Sequence, residues 1–143
     1  MTTAPQPIAS VVMPVHDGLH YLRRSLPPLL ESLGDGELEC IVVDDGSTDD
    51  GPRYARSLGA RVIPSGGTRL GPARARNVGA REALGAILVF VDADVVVHGD
   101  TLRSLVGALS GEGTCSRVAV YGSYDDSPPE LGFSSRYMNL PHH

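Results

Sequence analysis

Apolar and polar positions follow two rhythms along this chain, and the switches between them mark its elements. Residues 8–15 form a short apolar run rich in β-branched side chains, which reads as a buried strand. In residues 18–33, Leu19, Leu22, Leu26, Leu29, Leu30 and Leu33 fall at near-helical spacing. Pro27 and Pro28 interrupt that pattern, so a kink or two short helices are expected. A second apolar strand is expected at 38–43. Ser47 or Thr48 is the expected cap of the next helix, with Asp49 and Asp50 in its first turn and Gly59 as its stop after Leu58. Residues 61–64 read as a brief third strand, and 65–71 as a Gly-rich loop. Pro72 stands where a first helical residue belongs. The helix 72–84 is expected to turn Ala73, Ala80, Ala83 and Leu84 inward. The fourth strand, 86–91, is the most apolar. A helix over 101–109 carries Leu102, Leu105, Val106 and Leu109 at i, i+3, i+4 and i+7, capped by Asp100 or Thr101. Residues 117–121 read as a fifth strand.

Strands and helices therefore alternate along the whole pattern. Such alternation predicts an α/β fold, a Rossmann-like, mostly parallel sheet with helices on both faces. Right-handed crossovers then collect the carboxyl ends of the strands on one rim, where ligands bind at the reversal of strand order. The α/β domain is expected to span 1–122. The polar, Pro-containing stretch 123–143 reads as a linker or the start of a further half.

Charge narrows the chemistry. The formal net charge is −5, all twelve basic residues are Arg, and there is no Lys. A P-loop NTPase and a Schiff-base enzyme each need a Lys, so both are set aside. The acidic balance argues against nucleic acid as a partner. Cys40 and Cys115 lie far apart; Cys40 reads as a small buried hydrophobe, and a disulfide between the two is not expected. Residues 1–7 read as a frayed lead-in with no secretory signal, and Asp92 and Asp94 break the longest apolar run. A cytoplasmic location follows as the expectation, with membrane association left to a longer form.

The unusual residues sit at strand ends. His16 and Asp17 follow the first strand, Asp44 and Asp45 the second, Asp92, Ala93 and Asp94 the fourth. Carboxylates gathered on one rim repel unless a cation or a donor-rich ligand joins them. Asp92 and Asp94, one residue apart, could turn toward one Mg²⁺ or Mn²⁺, leaving sites for phosphate oxygens. The plainer alternative is a strand-ending turn with solvated Asp side chains. Asp44 or Asp45 could accept the imide proton of a uracil or the amine edge of another base, and Gly46 would let backbone approach the ligand. The plainer alternative there is a capping turn, which explains Ser47 but not two successive acids. Arg69, Arg74 and Arg76, around a Gly-preceded helix start, could face a diphosphate; a solvated Arg-rich surface is the alternative. His16 could stack on a base or hydrogen-bond to it, or be a satisfied half-buried residue. His142 and His143 carry little weight as metal ligands.

Four motifs occur in order: Val11-Val12-Met13-Pro14-Val15-His16-Asp17, Ile41-Val42-Val43-Asp44-Asp45-Gly46-Ser47-Thr48-Asp49, Ala75-Arg76-Asn77-Val78-Gly79 and Val89-Phe90-Val91-Asp92-Ala93-Asp94. Together, over about residues 8 to 122, they resemble the family 2 glycosyltransferases with the GT-A fold. The resemblance implies inverting transfer of a sugar from a nucleotide diphosphate donor to a sugar, lipid or polysaccharide acceptor. Carried over by position, Val15 and Asp45 contact the base with Asp44 beside it. Arg76 and Asn77 lie near the ribose or diphosphate, Asp92 contacts ribose or metal, and Asp94 is the main metal ligand. The candidate nucleotide-sugar site is thus Pro14, Val15, His16, Asp44, Asp45, Gly46, Arg76, Asn77, Asp92 and Ala93, with Asp92 and Asp94 on the metal.

Two departures stand out. The family's first motif usually ends in an aromatic residue and Asn, where this chain has His16 and Asp17. The family's general base lies in a later acidic motif, and Asp125 and Asp126 come too early for it. The base is therefore expected beyond residue 143, with the chain stopping before the acceptor half and an uncovered sheet edge open to self-association. The alternatives are a non-catalytic nucleotide-binding scaffold and a receiver-like Mg-binding module, although the latter needs a late Lys.

Overall fold

The computed structural model describes residues 6–110, 119, 120 and 122. The strand expected at 117–121, Cys115, the stretch 123–143 with Asp125 and Asp126, and the terminal histidines lie largely or wholly outside the described residues.

Among the described residues four strands and four helices alternate: β1 (Ala9–Val15), α1 (Leu19–Glu31), β2 (Leu38–Asp44), α2 (Gly51–Ser57), β3 (Arg61–Pro64), α3 (Pro72–Glu82), β4 (Ile87–Phe90) and α4 (Thr101–Ser110). The strands form one parallel sheet in the order β3-β2-β1-β4. The chain moves outward from β1 through β2 to β3, then returns to the other side of β1. The order therefore reverses beside β1, which places the ligand rim at the carboxyl ends of β1 and β4.

Register opens that rim. β1 pairs with β2 along its full length, up to Val15 opposite Asp44, but with β4 only from Ala9 to Val12. The Val91 amide donates to the Val12 carbonyl, and the Asp45 amide to the Val15 carbonyl. In-plane backbone groups alternate along a strand, so the Pro14 nitrogen faces the β4 side, beyond that strand's last residue. Its missing N–H removes no ladder bond there.

One face of the sheet carries the larger core. Val11, Met13, Val15, Val42 and Val89 meet Leu22, Leu26 and Leu29 of α1 and Leu102 of α4. Full burial of each such leucine stabilises the fold by about 1.5–3 kcal/mol. This stripe overrides the two prolines. In place of a kink or two short helices, α1 is one helix of 13 residues, with Pro27 and Pro28 inside it. The two lost amide donors cost less than burying Leu22, Leu26 and Leu29 on one continuous face stabilises.

The other face is close-packed by small residues. Val12, Ile41 and Val43 meet Ala75, and a Cβ at Gly79 would sit 2.3 Å from Val12 Cγ1. The inward face of α3 is therefore Ala75 and Gly79, flanked by partly buried Val78 and Ala83. Ala73 and Leu84, expected inward, are exposed. The helix also ends at Glu82, because the buried Ser10 hydroxyl and Glu39 take the next free amides: Gly85 N–H donates to Ser10 Oγ and Leu84 N–H to Glu39 Oε1. Among the described residues β4 is an edge strand, and α3 packs chiefly on β1 and β2: Leu88 is 39% and Phe90 50% exposed. Among the described residues no helix is long and apolar enough to cross a membrane.

The start of α2 also departs from expectation. Neither Ser47 nor Thr48 caps it, and Asp49 and Asp50 precede the helix, with Asp50 at the cap position. Asp49 does the joining. Its Oδ1 accepts the Gly51 amide and its Oδ2 the Leu19 amide, so one carboxylate fixes the starts of α2 and α1 together.

Candidate functional site

A cleft of about 270 Å³ opens at the rim, lined by Pro14, Val15, His16, Asp45, Pro72, Ala75, Arg76, Asp92 and Asp94. Of the residues singled out from the sequence, Pro14, Val15, His16, Asp45, Arg76, Asp92 and Asp94 come together there. Asp44, Gly46, Asn77 and Ala93 do not line it. Asp44 Oδ1 accepts the Ser47 amide, so the capping-turn alternative describes that residue. The Ala93 carbonyl accepts the Ser25 hydroxyl of α1 at 2.6 Å, which ties the 92–94 turn to the core. Gly46, at φ 73°, serves a close approach, but to Thr68: a Cβ there would lie 2.8 Å from Thr68 Cα.

Asp45 is the most enclosed polar group of the cleft, at 4% exposure. Its Oδ1 accepts the Ser65 hydroxyl at 2.6 Å and the Leu70 amide at 3.1 Å, and its Oδ2 accepts the Gly71 amide at 2.8 Å. Burial works against its charge, but the Ser65 hydroxyl, the Gly71 and Leu70 amides and nearby His16 outweigh it. They hold the carboxyl below the usual carboxylate range. One buried carboxylate thereby anchors the 65–71 loop and delivers the chain into α3. The sequence pattern alone does not single out Ser65. Its signal is a hydroxyl placed directly after β3, opposite the acids that end β2.

His16 is committed at both ring nitrogens. Nδ1 lies 2.9 Å from the Asp45 carbonyl, and Nε2 accepts Arg69 Nε–H at 3.0 Å. Arg69 thus binds His16 and does not line the cleft, as Arg74 does not. Asp17, in the left-handed region at φ 48°, accepts the Thr48 amide and hydroxyl and the Asp49 amide. Those bonds, the Thr48 amide foremost, hold its carboxyl low. Through Oδ1 it latches the loop after β1 to the loop after β2.

Across the cleft, Arg76 of α3 ion-pairs with Asp92. The expected repulsion among gathered acids is therefore relieved within the protein for Asp17, Asp44, Asp45 and Asp92. Asp94 differs: it is exposed and makes no hydrogen bond or ion pair with the described residues. The hard oxygens of Asp94 and Asp92 suit a divalent cation such as Mg²⁺ or Mn²⁺. No group of three or more His, Cys, Asp or Glu able to hold a metal occurs among the described residues. A cation here would take two carboxylates at most from these residues and fill its shell with ligand oxygens and water. Cys40 is buried, and desolvation foremost, with Glu39 adding to it, pushes its thiol up to about 12, so it is inert as a nucleophile.

The fold has solved counterparts. The mannosyltransferase PcManGT from Pyrobaculum calidifontis, solved with GDP-Man and Mn²⁺, is 28% identical over 76% of this chain and 34% of its own, with a TM-score of 0.67. TarS residues 1–349 from S. aureus, solved with UDP-GlcNAc, is 29% identical over 67% of this chain and 29% of its own, with a TM-score of 0.63. Glucosyl-3-phosphoglycerate synthase from Mycobacterium tuberculosis, solved with Mn²⁺, UDP and glucosyl-3-phosphoglycerate, is 32% identical over 75% of this chain and 41% of its own, with a TM-score of 0.58. This chain thus spans less than half the length of each. No curated protein sequence gives a significant match. The family model for glycosyl transferase family 2 matches residues 10–141. With that match over most of its length, and with the parallel sheet and its rim of acids in place, the chain belongs to glycosyl transferase family 2.

Proposed function

We propose that this chain binds the donor in a metal-dependent glycosyltransferase that moves a sugar, with inversion, from a nucleotide diphosphate to a sugar, lipid or polysaccharide acceptor. One observation carries the reading: Asp45 and Asp94, from the ends of different strands, border one cleft at the reversal of strand order. The base would lie at the Asp45 end, beside Val15 and His16. The diphosphate would lie toward Asp92 and Asp94, near the amino end of α3, whose free amides favour anions. Arg76 is within reach of that charge and can share it between Asp92 and the donor.

A divalent ion, when bound, neutralises the charge that grows on the departing diphosphate. Asp94 and Asp92 would hold it, and donor oxygens would complete the shell. Asp45 and the loop it anchors orient the base, while Pro72 and Ala75 wall the cleft. No described residue is assigned the base that deprotonates the acceptor. The relatives solved with GDP-Man, UDP-GlcNAc or UDP, two of them with Mn²⁺, support the donor class and the metal. A cytoplasmic location and self-association through the β4 edge belong to the same proposal; sedimentation of the purified chain checks the latter.

Thermal unfolding with UDP, TDP or GDP, each with and without Mn²⁺, tests the proposal. Stabilisation that needs nucleotide and metal together supports it. A melting temperature that no nucleotide moves, with or without metal, would remove the donor site.

A further inference from the structure

Among the described residues four polar side chains are buried: Ser10, Ser25, Asp45 and Ser65. Ser10 receives the Gly85 amide between α3 and β4, while Ser65 and Asp45 anchor the 65–71 loop. Ser25 is the odd one. It stands in the apolar stripe of α1, between Leu22 and Leu26, at 1% exposure. A hydroxyl at such a position costs free energy unless it is hydrogen-bonded.

Its one proton has two acceptors in reach, the Tyr21 carbonyl of its own helix at 3.1 Å and the Ala93 carbonyl at 2.6 Å. The Tyr21 contact alone would be the ordinary back-bond of a helical serine. The Ala93 contact is the shorter, spans 68 positions of sequence, and reaches the middle of Asp92-Ala93-Asp94. These residues form a β-turn: the Val95 amide donates to the Asp92 carbonyl at 3.0 Å, so Ala93 and Asp94 are its central residues.

The peptide between the two central residues is the one that turns over between a type I and a type II turn. Type II needs positive φ at the second of them, and the described non-glycine residues with positive φ are Asp17 and Arg69, not Asp94. Turning that peptide over would swing the Ala93 carbonyl away from α1, break the Ser25 bond and rotate the backbone from which the Asp94 carboxylate projects. Asp tolerates positive φ better than most residues, so local preference holds the turn only weakly. The Asp94 carboxylate itself has no bond to direct it; its backbone must do so.

Resting on the proposal that Asp94 and Asp92 hold a divalent cation against the donor, we infer that Ser25 is a positioning residue for that cation. Its hydroxyl fixes the peptide between Ala93 and Asp94 and so aims the Asp94 carboxylate into the cleft. A ligand group that is correctly aimed only part of the time lowers the apparent affinity by that fraction. Ser25 therefore acts on metal binding from the core, without touching metal or donor.

Titration of the whole chain with Mn²⁺ at saturating UDP, followed by the loss of free-ion Mn²⁺ resonance, tests this. Ser25→Ala removes the donor, and Ser25→Cys fills the space with a weak one. Each is expected to weaken UDP-dependent Mn²⁺ binding about tenfold. In an Asp94→Ala background the same Ser25 change is expected to matter by less than about twofold, because the group it aims is gone. Parent-like Mn²⁺ binding by both variants overturns the inference while leaving the donor site intact. An equal loss with and without Asp94 also overturns it, since Ser25 would then act on the fold and not through Asp94. Failure of the unaltered chain to take up Mn²⁺ with UDP overturns the donor-site reading and this inference with it. If Ser25→Ala does not fold, Ser25→Cys carries the comparison in both backgrounds.

Discussion

Arg69 donates its Nε–H to Nε2 of His16 at 3.0 Å, and that one bond fixes the protonation pattern of the site. A guanidinium has no acceptor and does not lose its proton, so Nε2 must carry the lone pair. The ring hydrogen is then on Nδ1, where the Asp45 carbonyl accepts it at 2.9 Å. Asp17 Oδ2 lies 3.3 Å from the same Nε2. Asp17 and Arg69 are also the two described non-glycine residues with positive φ, at 48° and 54°. Backbone in that region costs of order 1 kcal/mol for a residue such as Arg, and the loop contacts at Asp45 and His16 hold it there.

The tautomer is directly observable. Imidazole ¹⁵N resonances of the neutral His16 ring are expected to show the Nδ1–H form. Arg69→Ala, by removing the donor, is expected to let the Nε2–H form appear. A neutral ring already protonated on Nε2 in the unaltered chain would contradict the bond.

Asp45 should behave as a structural carboxylate as well as a ligand group. Asp45→Asn replaces one carboxylate oxygen with an N–H₂, which then faces either the Gly71 amide or the Ser65 and Leu70 donors. It is expected to cost about 1–3 kcal/mol in urea denaturation. The carboxyls of Asp45 and Asp17 are both held below the usual carboxylate range, so the sign of the acid response follows. Their stabilisation is fully present above the unfolded value and is lost as pH falls through the lower folded values. Stability should therefore decline as pH falls through and below the usual carboxylate range, with a shallower slope in Asp45→Asn. An equal slope in the variant would show that Asp45 is not held low.

Much of this was legible in the sequence, for identifiable reasons. The β-branched runs gave β1 and β2 their lengths, and acids at strand ends marked the rim, because charged side chains are costly inside a largely buried parallel sheet. The exceptions have physical causes. The α1 prolines lost to a buried leucine stripe, which single-residue preferences do not weigh. The inward face of α3 was set by a glycine packing on Val12, and no apolar periodicity reports a residue chosen for lacking a side chain. The roles of Ser65 and Arg69 depend on a loop folding back across some twenty to fifty positions of sequence, onto Asp45 and His16. Asp44 and Asp45 look alike in sequence. Only the pleat decides that one caps a turn and the other borders the cleft.

Gly79→Ala tests the packing under the site. The added methyl would meet Val12 Cγ1 at 2.3 Å and Val43 Cγ2 at 3.0 Å, both on buried strands that cannot yield. A loss of about 1–3 kcal/mol is expected in chemical denaturation, with nucleotide binding weakened as α3 is pushed off the sheet. A variant as stable as the parent would show that α3 sits farther from β1.

Arg76 and Asp92 form a partly exposed pair, at 32% and 53% side-chain exposure, so the pair itself contributes little, about 0–1 kcal/mol. Arg76→Ala is expected to leave the urea midpoint nearly unchanged while raising the Kd for UDP with Mn²⁺ about tenfold. Unchanged affinity would place the diphosphate elsewhere.

The uncommitted carboxylate of Asp94 offers the sharpest test. Its removal takes nothing from the described protein's own bonding, so Asp94→Ala should melt at the same temperature as the parent without ligand. Manganese uptake in the presence of UDP, followed by the loss of free-ion Mn²⁺ resonance, should then fall by tenfold or more, an order-of-magnitude expectation for losing one of few protein ligands. Retention of full UDP-dependent Mn²⁺ binding by that variant would contradict a cation held at this rim against a diphosphate.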